Sequence, residues 1–402
     1  MTTPDLPGRL PTGARDVLPN EAAELREAED ALRRTLVLHG YREVRTPILE
    51  FGAAIERAAA SGLDEAYRLF DADGSVLVLR PDLTIPAARM IATRMADHPG
   101  PVRVSYIGSA FRLPQPGAPR LSEHRQAGAE LVGPTGPEAD AELVEVLCAC
   151  IRAAGLEDFR VALGDAAVMD AALTAMVDDP ERRTRLRAAA ADRDHVAWAR
   201  ESEGAGTGLA DLPGRRGDAD VLRRLAEEIP ATAEPCERVL RTLDLLRDSP
   251  AADVVQVDLG IVHERTYYDG LLLEAYAPGV GESIARGGRY DALAERFGAA
   301  RPAIGFGIEM DALHRAIAAS GAGRPPQRGV VIAAAGERGR ALAAQARTAG
   351  LPAVVAAGHD EARGLAEAER WRYVAVPDGD ALRVTDRSTG ADARVADLKE
   401  LA

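Results

Sequence analysis

The sequence predicts an α+β fold built in several parts, and three patterns carry that expectation. Short strand candidates separated by helical stretches fill roughly the first 165 residues. A run rich in Ala, Arg, Asp and Glu with helical periodicity follows, from about 166 to 250. Strand patterning then returns, and the segment beyond 321 alternates β-α-β-α-β. At 402 residues the chain is long for one core, so two or three domains are expected. The expected division is a core in two parts (1–165 and 251–320), a helical insertion (166–250), and a linker with a small C-terminal α/β domain (321–402).

The elements follow in order. LPTGARDVLPN reads as an extended arm punctuated by proline and glycine. Asn20 is placed to cap a helix over 21–39, with Leu25, Ala28, Leu32 and Leu36 at helical spacing and Gly40 as its stop. Residues 44–49 suit an edge strand interrupted by Pro47. VLVLR (76–80) and RVSYI (103–107) are short strand candidates, and 138–154 is a helix closed by Gly155. The helical run breaks in a glycine-rich stretch near 204–217, and strands are expected at 254–262 and 267–276. Glycines then cluster in RGGRYD (286–291) and AIGFGIE (303–309), and a helix starts near Glu309. GAGRPPQRG (321–329) has linker composition.

Bulk properties exclude several function classes. The net charge of −14 disfavours general binding to phosphate backbones. Cys148, Cys150 and Cys236 make no CxxC pair, and a sparse odd set fits a reducing compartment. No signal-like start and no apolar run near the length of a membrane span is visible, so a cytoplasmic protein is expected. Lys399 is the only lysine, which rules out a GxxxxGK phosphate loop and argues against a pyridoxal Schiff base. The histidines form no zinc motif, and no cofactor is expected.

QAGAE (126–130) is the most informative short segment. On a strand, Gln126, Gly128 and Glu130 share one face, and Ala127, Ala129 and Leu131 the other. An amide and a carboxylate about 13 Å apart then flank a residue without a side chain. Such a shelf suits a small polar ligand with a cationic end. An ordinary half-exposed strand with a bulge glycine would show the same five residues. Four further segments are candidates for the same pocket. LRPDLT places Asp82 and Thr84 on one face of a strand end, and Arg112 follows the RVSYI strand region. Tyr267 and Tyr268 face opposite sides if they lie on a strand, and RGGRYD brings backbone close to a neighbour.

In order, the chain contains ARDVLP, YREVRTPILE, YRLFDADGSVLVLRPDLT, PVRVSYIGSAFR, EHRQAGAELVGPTGPEADAE, VDLGIVHERTYYDGLLLEAY, GGRYDAL and IGFGIEMDAL. This series resembles the catalytic core of histidyl-tRNA synthetase, a class II synthetase, over roughly residues 10–320. The resemblance implies a mostly antiparallel sheet flanked by helices and dimerisation through the first motif region. It also implies a histidine pocket at Asp82, Thr84, Arg112, Gln126, Glu130, Tyr267 and Tyr268.

Two positions depart from the synthetase pattern. Where that family reads RGLDYY, this chain reads HERTYY, with His263 in the arginine's place. Arg265 shares His263's face on a regular strand, which leaves open a shifted arginine. Where the family reads GxER, the chain reads GIEM, and Met310 carries no charge for an ATP phosphate. Arg112 and Arg120 remain in the second motif. A kept amino-acid pocket beside a degenerate ATP site is similar to the regulatory subunits of short-form ATP phosphoribosyltransferase, which have no chemistry of their own. That resemblance implies a short catalytic subunit as partner in a hetero-octamer and histidine feedback; the nearly charge-balanced C-terminal segment, with Trp371, Tyr373 and scattered arginines, is a weak RNA face, so tRNA is not an expected partner. The alternatives are an active histidyl-tRNA synthetase or a synthetase-like amino-acid ligase.

Overall fold

The computed structural model describes residues 8–59, 63–64, 66–114, 121–262, 267–321 and 327–401. His263, Arg265 and Arg120 lie outside the described residues. The chain divides into two compact units. One takes the chain to Asp16 together with Glu27–Ser320; the other takes Val17–Arg26 and the chain from Gly321.

The first unit is organised by a sheet that, among the described residues, has nine strands. Their spatial order is Arg42–Glu43, Val102–Phe111, Glu123–Val132, Ala303–Glu309, Ala285–Arg289, Leu271–Tyr276, Arg160–Asp165, Val255–Asp258 and Arg216–Gly217. Among the described strands of this sheet two pairings are parallel, the outer Arg42–Glu43 strand on Val102–Phe111 and Arg160–Asp165 on Val255–Asp258. The middle of this sheet is buried on both faces. Ala127, Ala129 and Leu131 are fully enclosed, and so is Glu130 opposite them. QAGAE is therefore not a half-exposed strand. The Pro137–Ala153 helix packs on this sheet and buries Leu143, Leu147 and Ile151 at four-residue spacing. Gly155 follows it at φ +97°, the left-handed stop expected.

Helices dominate 166–250, and aspartates start three of them. Asp165 accepts from Ala167 N, Asp179 from Glu181 N, and Asp194 from Val196 N and Ala197 N. Each carboxylate satisfies amides that the first helical turn leaves without partners.

Four local expectations are corrected. The first helix is Pro19–Leu38, and Asn20 lies inside it. Pro19 carries the helical φ and needs no N–H, so the helix starts there without an Asn20 cap. Residues 44–49 do not make one strand; the chain pairs only at Arg42–Glu43 and again at Leu49–Phe51, on either side of Pro47. Asp82 and Thr84 do not end a strand, because the strand stops at Leu79 and Thr84 opens the Thr84–Arg94 helix. Tyr267 and Tyr268 precede the Leu271–Tyr276 strand rather than lying on it.

The second unit contains the expected β-α-β-α-β. Gln327–Ala333 is parallel to both Ala353–Ala356 and Trp371–Asp378. A hairpin of Ala381–Asp386 and Ala391–Val395 extends that sheet and was not anticipated. Among the described residues, no helix is long and apolar enough to cross a membrane.

Candidate functional site

Sheet register explains how the pocket residues meet. Along Glu123–Val132, Gly108 pairs with Gln126, Tyr106 with Gly128 and Val104 with Glu130 on one side. On the other side Glu309 pairs with Gln126, Gly307 with Gly128 and Gly305 with Glu130. Glycines beside the polar residues make room for them. A Cβ on Gly305 would collide with the Glu130 carboxylate, and one on Gly307 would lie 2.6 Å from Gln126 Nε2.

Glu130 is the centre of the site. The Tyr106 hydroxyl donates to its Oε1 at 2.8 Å, and the Tyr290 hydroxyl donates to its Oε2. Thr84 Oγ1 lies 3.1 Å from the Tyr106 hydroxyl. Burial pushes the Glu130 carboxyl up to about 7, against the hydrogen bonds from Tyr290, Tyr106 and Thr84. Burial, with Glu130's charge added, holds Tyr106 and Tyr290 well above the usual phenol range.

The shelf over Gly128 is not open. A Cβ there would meet the Phe306 carbonyl and come within 2.6 Å of the Tyr106 ring. The protein's own aromatic ring fills the room that the sequence reading gave to a ligand.

A short turn draws in most of the remaining residues. Arg112 Nε donates to Pro81 O at 3.0 Å. Asp82 Oδ1 accepts from Ile85 N at 2.9 Å and so starts the Thr84–Arg94 helix. Leu83 N lies 3.3 Å from Gln126 Oε1, and Gln126 Nε2 lies 3.4 Å from Glu309 Oε1. Tyr267 and Tyr268 lie 4.6 Å apart between centroids with their rings tilted by 45°, and Tyr290 meets them edge-on at 5.9 and 6.3 Å. RGGRYD supplies the close approach expected of it, since a Cβ on Gly288 would sit 2.9 Å from the Tyr268 ring. The structure thus brings together Asp82, Thr84, Arg112, Gln126, Glu130, Tyr267 and Tyr268.

Tyr106 and Tyr290 were missed by sequence reasoning, although both lie in segments it quoted. Their signal was positional: each tyrosine neighbours a glycine-flanked strand, but which carboxylate it reaches depends on cross-strand register. Met310 is fully buried at the start of the Met310–Ala319 helix and brings no cation there. Among the described residues, no group of three or more His, Cys, Asp or Glu is placed to hold a metal ion.

Known proteins agree with this architecture. The histidyl-tRNA synthetase family profile matches residues 13–313. A curated relative from Symbiobacterium thermophilum, named ATP phosphoribosyltransferase regulatory subunit, is 37% identical over 363 residues, covering 86% of this chain and 90% of the relative. A protein of the same name from Rubrobacter xylanophilus is 36% identical over 375 residues, covering 90% of this chain and 87% of the relative. A solved structure from Bacillus halodurans, described as an ATP phosphoribosyltransferase regulatory subunit/histidyl-tRNA synthetase, superposes with a TM-score of 0.79 at 26% identity, covering 92% of this chain and 99% of that one. The histidyl-tRNA synthetase of Nostoc sp. PCC 7120 shares the fold, with a TM-score of 0.80 at 20% identity over 98% of both chains. The fold is class II synthetase-like, and the chain belongs to the ATP phosphoribosyltransferase regulatory subunits, a histidyl-tRNA synthetase-like family.

Proposed function

We propose that this chain activates a short catalytic subunit of ATP phosphoribosyltransferase and senses histidine through the Glu130 pocket. One combination supports the reading: Glu130 is buried among the hydroxyls of Tyr106 and Tyr290, while the third-motif position holds a buried Met310 instead of an arginine. Adenylation needs fixed positive charge on the reacting phosphate, and a thioether supplies none. Glu130, Gln126 and Asp82 serve the cationic and hydrogen-bonding groups of histidine, and Tyr267 or Tyr268 walls the imidazole. Feedback is then linkage. Histidine binds better to the inhibited assembly than to the active one, and a coupling of about 1–3 kcal/mol suffices.

The assembly proposed is a hetero-octamer of four regulatory and four catalytic chains, with this chain self-associating as a dimer. An exposed apolar sheet face supports the dimer. Leu49, Phe51 and Leu69 are 41–57% exposed and share one face of the three-stranded sheet around Val76–Leu79.

Calorimetric titration with histidine tests the pocket. Glu130→Ala is expected to weaken binding about tenfold or more, the scale of one lost charged hydrogen bond; unchanged affinity would overturn the assignment. ATP-dependent pyrophosphate exchange with histidine tests the regulatory reading against an active synthetase. Robust exchange would establish the synthetase. Exchange with another amino acid would establish a ligase.

A further inference from the structure

A cavity lies in the helical insertion, lined by none of the residues around Glu130. It measures about 300 Å³ and is lined in part by His195, Trp198, Pro213 and Arg215. An adjoining cleft of about 30 Å³ shares His195, Trp198 and Pro213 and reaches Arg216, Asp258 and Gly260 at the end of the Val255–Asp258 strand. The walls are held in place. Trp198 is buried, and its indole N–H donates to Ala210 O at 3.0 Å. Strand end and insertion approach closely, since a Cβ on Gly260 would collide with the Pro213 carbonyl.

Hydrogen-bond accounting gives the sign of the ligand. Each carboxylate on these walls accepts two hydrogen bonds and keeps about two of its four acceptor positions. Asp194 accepts from Val196 N and Ala197 N, and Asp258 from Gly260 N and Arg216 Nε. Asp211 accepts from Arg215 Nε and Nη2. The guanidinium groups keep donors in reserve. Among the described residues, Arg216 bonds through Nε alone, Arg193 through Nη2 alone, and Arg215 leaves Nη1 unused. With five donors per guanidinium and no acceptor, the three arginines keep nine N–H groups against about six free carboxylate positions, so the surplus is of N–H groups in a planar fork suited to oxyanions. An aromatic and proline wall beside that surplus suits a flat ring. The size matches the lower end of small-molecule sites.

We propose that this cavity binds a ring-bearing oxyanion, a small aromatic carboxylate or phosphate, independently of the histidine pocket. The full chain offers its own reporter, because Trp198 and Trp371 are its only two tryptophans. In a Trp371→Phe background, Trp198 emission is titrated with AMP, benzoate, adenosine and inorganic phosphate. A saturable change is expected with AMP or benzoate; AMP alone assigns a phosphate, benzoate alone a carboxylate. Arg216→Gln removes a reserve donor, and Ala199→Leu, at a further residue that lines the cavity, narrows it without touching an ion pair. Each is expected to weaken binding tenfold or more. If Arg216→Gln fails to fold through loss of its Asp258 pair, Ala199→Leu decides alone. The proposal is overturned if neither AMP nor benzoate gives a saturable response. It is equally overturned if adenosine binds as tightly as AMP without benzoate binding, or if the folded variants keep parental affinity.

Discussion

Glu130→Gln isolates the cost of a buried carboxylate. In the folded protein the Glu130 carboxyl sits at about 7, against an ordinary value of 4.5. At about 1.4 kcal/mol per pH unit, that gap corresponds to roughly 3 kcal/mol. The sign follows from the direction. The folded value is raised, so the stabilising contribution is fully present below pH 4.5, where both states hold the proton. Between 4.5 and about 7 the unfolded chain releases the proton while the folded chain keeps it, and stability falls. Above about 7 the loss is complete. The glutamine variant has the same shape and no titration, so its stability lacks this decline. Urea unfolding of both proteins at pH 5, 6, 7 and 8 measures the difference. Any constant offset from the amide cancels, and the gap is expected to move by about 2–3 kcal/mol in glutamine's favour from pH 5 to pH 8. Parallel stability curves would refute the claim that burial, and not the tyrosine hydrogen bonds, dominates at Glu130.

Three other substitutions have defined outcomes. Gly305→Ala drives a methyl into the Glu130 carboxylate, so a loss of about 1–3 kcal/mol is expected; combining it with Glu130→Ala should recover part of that loss in a double-mutant cycle. Arg193 holds a left-handed φ of +55° and bonds Glu274 Oε2 at 2.7 Å. Arg193→Gly relieves roughly 1 kcal/mol of backbone strain but removes a partner of a buried carboxylate. A net loss of about 1 kcal/mol is expected, since Arg286 remains 3.5 Å from Glu274 and Arg193 is itself half exposed; a more stable variant in thermal unfolding would reverse that weighing. Phe51→Glu puts charge on the exposed sheet face, and sedimentation is expected to show the proposed dimer replaced by monomer; an unchanged oligomer would place the dimer contact elsewhere.

Strand alternation made half of the pocket legible. It put Gln126 and Glu130 on one face because a period of two is local information. The tyrosines that bond Glu130 were not legible in the same way. Tyr106 reaches it because its strand pairs Tyr106 with Gly128, and Tyr290 because the intervening Ala303–Glu309 strand carries glycines. Both facts are registers between distant segments. Asp82 and Thr84 were read as a strand end because Val76–Leu79 precedes them, yet Asp82's bond to Ile85 N is a helix-start signal three residues long. The missed C-terminal hairpin had a readable mark. Gly379-Asp380 turns the chain from Trp371–Asp378 into the hairpin's first strand, Gly390 sits in the hairpin's own turn, and the two glycines stand at φ +64° and +72°.

The caged state of Glu130 bears on the sensing role proposed for it. A carboxylate can accept about four hydrogen bonds, and two tyrosine hydroxyls already occupy two of those positions. The Tyr106 ring occupies the room over Gly128. A cationic ligand must therefore share the remaining lone pairs or move Tyr106, and in either case it favours the ionised carboxylate that burial disfavours. Ligand, proton and tyrosine position are then linked at one residue. In an enzyme such coupling would lower the affinity for substrate without helping the reaction. In a regulatory subunit the same coupling is useful, because only a ligand that distinguishes two arrangements of its site can shift a population between them. Thr84 lies between the Tyr106 hydroxyl and the Thr84–Arg94 helix that it opens. A displacement of Tyr106 would therefore reach a rigid helix through one side chain.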